Sequence, residues 1–108
     1  MSISSPSVET NTKEKTISKN KIKKPSKYQV VLHNDDVTPM DFVIAILMKV
    51  FSHSEESATQ LMWQVHKEGK AVAGIYTKEI ASTKKKEVEA YNQAYQLSLK
   101  TTIEPIQT

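Results

Sequence analysis

The chain of 108 residues contains no cysteine and no arginine. The first absence excludes a disulfide framework, a thiol nucleophile, a Cys-type zinc site and an iron–sulfur cluster. It fits a reducing compartment, and the cytoplasm is the expected location. The second absence removes the planar fork that guanine and phosphate contacts favour. No uninterrupted apolar run exceeds Phe42–Met48, far short of a membrane span. The N-terminus carries charge without an apolar stretch behind it, so no secretory signal is expected. Aromatic residues are missing from the first 27 positions.

What is present divides unevenly. Residues 1–27 hold seven Lys and two Glu, and residues 28–108 hold eight Lys and ten acidic residues. The positive excess therefore sits in a Ser/Thr/Lys-rich segment, not on the body. Residues 1–25 are polar and aperiodic, and the expectation is a disordered extension. Residues 26–108 make one small core domain. Lys84-Lys85-Lys86 is the only basic run in that domain, and on a helix it reads as a solvated face.

Within the domain, Tyr28–His33 alternates and reads as a strand, with Tyr28, Val30 and Leu32 on one face and Gln29, Val31 and His33 on the other. Asn34-Asp35-Asp36-Val37 breaks it as a turn. Thr38-Pro39-Met40-Asp41 opens a helix, with Thr38 as the cap and Pro39 in the first turn. Phe42, Val43, Ile46, Leu47, Val50 and Phe51 then keep a helical period, and the helix should end near Phe51 or Ser52. A second helix starts at Ser54-Glu55-Glu56 and stops at Gly69 in a left-handed cap. Ala71–Tyr76 is a short strand in which Gly74 marks a weakness or a bulge. Thr77 caps a third helix. Leu97–Glu104 alternates as a final half-buried strand that Pro105 should stop. The order β-α-α-β-α-β predicts an α+β fold: a small antiparallel three-stranded sheet with three helices on one face.

Two kinds of chemistry compete for the polar turn. Asn34, Asp35, Asp36 and His66 can supply a carbonyl oxygen, carboxylates and a ring nitrogen, the acceptors that an ammonium group with three donors requires. Met40, Val43, Met62 and Val65 can wall a neighbouring apolar pocket, although Met and Val at helical spacing are ordinarily core. A ligand with a positive head and an apolar body, such as a peptide N-terminus, fits both. The rival is a divalent metal on His33, Asp35, Asp36 and His66, whose spacing matches no established ligand pattern. There is no nucleophile elbow, phosphate loop or paired-His motif, so the expectation is a protein that is not an enzyme and needs neither cofactor nor metal. A ribosomal or nucleic-acid interaction module is a further alternative.

One family carries the same string. From Tyr28 to about Glu104 the chain resembles ClpS, the adaptor family that delivers N-degron substrates to the ClpAP-type protease. The resemblance lies in Asn34-Asp35-Asp36-Val37-Thr38-Pro39-Met40-Asp41-Phe42-Val43, then Ala58-Thr59-Gln60-Leu61-Met62, Val65-His66 and Gly69-Lys70. It implies that Asn34, Asp35 and His66 bind the free α-amino group of a substrate protein. It implies a pocket for a Leu, Phe, Tyr or Trp side chain lined by Thr38, Met40, Val43, Met62, Val65 and Leu99, with Met40 guarding against β-branched residues. Asp36 is implied as loop support. Glu79 and Lys84 match positions that contact the N-terminal domain of the AAA+ unfoldase ClpA, and the extension takes part in handover. His33 and Trp63 depart from the family pattern, His33 as a neighbour of the amine site and Trp63 as a bulky group beside Met62.

Overall fold

A computed structural model describes residues 27–106. The extension expected over 1–25 lies outside the described residues. The elements are β1 (Lys27–His33), α1 (Met40–Lys49), α2 (Glu55–Glu68), β2 (Lys70–Tyr76), α3 (Lys78–Tyr95) and β3 (Lys100–Ile106). The sheet order is β2-β1-β3, and both pairings are antiparallel. This is the three-stranded α+β fold expected from the hydrophobic period.

The central strand shows why the layers form. Val30 and Leu32 enter one continuous core with Val43, Ile46, Leu47, Met62, Val65, Val88 and Leu99, while Tyr28 packs at its edge. The odd-numbered positions face the other way. There Gln29 Nε2 donates to Glu104 Oε1 at 2.9 Å, and His33 Nε2 lies 2.8 Å from Thr102 Oγ1. Val31 is buried on this second face between its cross-strand partners Val72 and Thr102. No described helix is long and apolar enough to cross a membrane.

Helix ends follow local chemistry, with one correction. Ser54 caps α2 by accepting from the Ser57 amide at 3.1 Å, and Thr77 caps α3 by accepting from the Ile80 amide at 3.4 Å. Gly69 closes α2 at φ 90°, a left-handed conformation that costs a residue without a Cβ little. Thr38, however, does not cap α1. The capping position is Pro39, which has no side-chain cap, and Thr38 donates its hydroxyl to Asp35 Oδ2 at 2.7 Å instead. The Asp35 carboxylate holds Thr38 in the turn, and the helix starts one residue later, where the Phe42 and Val43 amides donate to the Pro39 carbonyl. The last regular residue of α1 is Lys49, two or three short of the expected end, and Ser52 turns the chain at φ 61°.

The strands differ from expectation at two points. Pro105 lies inside β3, opposite Tyr28, and does not stop it. β3 is an edge strand, so its missing N–H need not enter the ladder. In β2 the register shifts between Val30 and Val31, leaving Ala73 as an extra residue beside Gly74. This is the bulge that Gly74 hinted at. His53 supports it: its Nε2 reaches the Ala73 carbonyl at 2.6 Å and its Nδ1 lies 3.0 Å from Ser57 Oγ. Thus the α1–α2 link is tied to the bulged strand.

Candidate functional site

The turn after β1 is built around one carboxylate. Asp35 Oδ1 accepts from the amides of Val37 at 2.8 Å and Thr38 at 2.6 Å, while Oδ2 takes the Thr38 hydroxyl. Desolvation pushes the Asp35 carboxyl upward, but these three hydrogen bonds outweigh it and hold the group below its ordinary value. It is therefore a fixed negative charge. Both oxygens are engaged by the loop, and Oδ2 keeps acceptor capacity for a further donor.

The neighbouring backbone brings the loop to α2. The Asn34 amide donates to the Gly69 carbonyl at 2.9 Å. Gly69 ends the helix whose last full turn carries Val65 and His66, so this single bond sets the asparagine beside the histidine. Around them lies a cavity of about 330 Å³ lined by Asn34, Asp35, Asp36, Val37, Thr38, Pro39, Met40, Val43, Met62, Val65 and His66. Its walls are graded. Val43, Met62 and Val65 are buried, whereas Met40, the first residue of α1, is 39% exposed. Asn34, Asp36 and His66 are exposed at the rim. Acceptors at the mouth and apolar side chains below suit a ligand with a cationic head and an apolar body.

Of the residues implied for amine binding and pocket, all but Leu99 meet on this cavity. Leu99 is buried in the core and does not line it. The Asn92 side chain explains its placement: Nδ2 donates to the Leu99 carbonyl at 3.0 Å and Oδ1 accepts from the Leu99 amide at 3.1 Å. That pair of hydrogen bonds docks the residue just before β3 on α3. Asp36, Val37 and Pro39 also line the cavity, and Asp36 adds a second carboxylate to its mouth rather than only supporting the loop. Their position inside the polar turn was the available signal.

The two departures are outside the cavity. His33 alternates to the open sheet face beside Thr102. Burial, then the Lys100 and Lys70 charges, push its imidazole below the ordinary value against the opposing pull of Glu104. Trp63 is 44% exposed, with its ring 5.9 Å from the His66 ring, centroid to centroid, and nearly perpendicular to it. The rival metal cluster is not assembled, since His33 points away and no group of three or more His, Asp or Glu side chains gathers among the described residues. Glu79 and Lys84 lie on the first half of α3, where Lys84 Nζ sits 5.7 Å from the centre of the Tyr76 ring.

A small α+β domain with an acceptor-rimmed, apolar-walled cavity is a binding module for such a two-part ligand. Sequence and structure comparisons make this specific. The family model "ATP-dependent Clp protease adaptor protein ClpS" matches residues 23–102. The Clp protease adapter ClpS of Vibrio atlanticus is 48% identical over 102 residues, covering 94% of this chain and 92% of that protein. Its counterpart in Sodalis glossinidius is 51% identical over 86 residues, covering 80% of this chain and 81% of the relative. Agrobacterium tumefaciens ClpS2, solved bound to L-phenylalaninamide, superposes with a TM-score of 0.72 at 37% identity, covering 77% of this chain and all of that one. The chain belongs to the ClpS family of Clp protease adaptors. It is an adaptor, not an enzyme.

Proposed function

We propose that this adaptor captures proteins whose first residue is Leu, Phe, Tyr or Trp and presents them to a ClpA-type AAA+ unfoldase in the cytoplasm. The α-ammonium group binds at Asn34, Asp35 and His66, and the first side chain enters between Thr38, Met40, Val43, Met62 and Val65. The observation that carries this reading is their convergence on one cavity of about 330 Å³. Supporting it, a family member 37% identical was solved with a phenylalanine derivative bound.

The energetics suit discrimination without chemistry. Burying a large apolar side chain contributes roughly 1.5–3 kcal/mol. Losing a hydrogen bond to a charged group costs about 1.5–3 kcal/mol. An acetylated N-terminus loses the charge and two donors, so it forfeits the second term while keeping the first. Titration of a Leu-initiated peptide and its N-acetylated twin checks this. The free peptide should bind at least tenfold more tightly, since about 1.4 kcal/mol is tenfold. Equal affinities would refute the amine site. Residues 1–25 are assigned to engagement with the unfoldase during handover, a role supported by their lysine excess and by the family resemblance.

A further inference from the structure

Trp63 is the single tryptophan of the chain and stands on the same side of α2 as His66, one turn earlier. Its ring is 44% exposed and packs against the His66 ring at a centroid separation of 5.9 Å. Lys67 Nζ lies 5.9 Å from the centre of the same indole, and the attraction of an ammonium for a ring face restrains it there. His66 lines the cavity; Trp63 does not. The indole is therefore a broad apolar surface just beyond the rim, held by His66 and Lys67 from the next turn of the helix.

A bound peptide cannot end at the rim. Its second residue must leave the cavity past the groups that hold its amine. An extended chain advances about 3.3–3.6 Å per residue, so the Cα of the second residue falls roughly 4–5 Å from an amine bonded to His66. The Trp63 ring centre lies 5.9 Å from that of the imidazole, so a side chain on this second residue can reach the indole. We propose that Trp63 forms an outer subsite that takes the side chain immediately following the N-terminal residue and selects an aromatic or other flat apolar group there. This rests on the amine-binding reading above. An offset or edge-on aromatic pair at an exposed position accounts for a roughly two- to tenfold gain in affinity.

The test compares two peptides that differ only in their second residue, Leu-Phe and Leu-Ala, on the full chain. The unmodified protein should bind Leu-Phe roughly two- to tenfold more tightly. Trp63→Ala should abolish that preference while leaving Leu-Ala affinity unchanged, and Trp63→Phe should retain most of it. The indole emission should respond more to Leu-Phe than to Leu-Ala, a direct reading because no other tryptophan contributes. A Leu-Phe to Leu-Ala ratio of one, or the same ratio in Trp63→Ala, would overturn the subsite. So would a loss of Leu-Ala binding in Trp63→Ala, which would make Trp63 a support for His66. The N-acetylated Leu-Ala peptide separates the two readings: if it binds as well as the free one, the amine site fails and the subsite falls with it.

Discussion

Asp35 serves two ends with one carboxylate. It organises the turn through three hydrogen bonds and leaves a negative charge at the cavity mouth. Asp35→Ala removes both, and should lower stability by about 1–2 kcal/mol as well as weakening free-amine binding strongly. Asp35→Asn separates the roles, because its amide oxygen can still accept from the loop amides while the charge is gone. Most of the stability should return and most of the binding should not, as read by thermal melting beside peptide titration. The sign of the pH dependence follows from the same bonds. A carboxyl held lower in the folded state than in the unfolded one contributes stability above its unfolded value of about 3.8. That contribution is lost only as pH falls through the lower folded value. Full recovery of amine binding in Asp35→Asn would remove the charge from the recognition scheme.

The elements show what the sequence makes legible and what it hides. Helix periods and their caps at Ser54, Thr77 and Gly69 are local, and they were readable residue by residue. Thr38 was misleading because Asp35, equally local and charged, ties it into the turn one residue ahead of the helix. Pro105 and Leu99 depended on non-local facts: one on which strand lies at the edge, the other on the clasp from Asn92. The cavity was legible because turn and helix residues carry the whole motif, and strand alternation already set His33 on the face away from the core, whereas the fate of Trp63 depended on which way the helix turned its side chain. β2 offers a prediction at this scale. A Cβ on Gly74 would run into the Tyr76 ring. That ring packs against Phe51 at 6.4 Å between centroids and carries Lys84 on its face. Gly74→Ala should therefore cost about 1–3 kcal/mol through overpacking and lower the melting temperature by several degrees. Peptide affinity should hold, since the cavity does not touch this strand. An unchanged melting temperature would mean the ring relocates freely.

At the scale of the whole molecule, the sheet separates two surfaces. His33 pairs with Lys70 at one end of β1 and Tyr28 with Tyr76 at the other, five residues along. The cavity's polar turn follows His33, while Lys84 rests on Tyr76, so about 17 Å of strand lies between them at roughly 3.3 Å per residue. Beside Tyr76, Ile80 is 48% exposed. Ile80 and Lys84 are four apart on α3 and share a face, with the exposed Glu79 alongside. Apolar groups flanked by opposite charges make a surface suited to a protein partner, which under the proposed function is the unfoldase's N-terminal domain. Under that proposal one adaptor would hold a substrate and a machine at once without either blocking the other. The expected signature is a separation of function. Glu79→Ala combined with Lys84→Ala should leave the affinity for a free Leu-initiated peptide within twofold, because neither residue lines the cavity. The same variant should slow Clp-dependent degradation of a Leu-initiated reporter several-fold, and adding excess adaptor should restore the rate, since the defect is in docking. Asp35→Asn should show the reverse, with docking intact and capture lost. If the α3 double variant degrades the reporter at the unaltered rate across adaptor concentrations, the docking surface lies on another face of the domain.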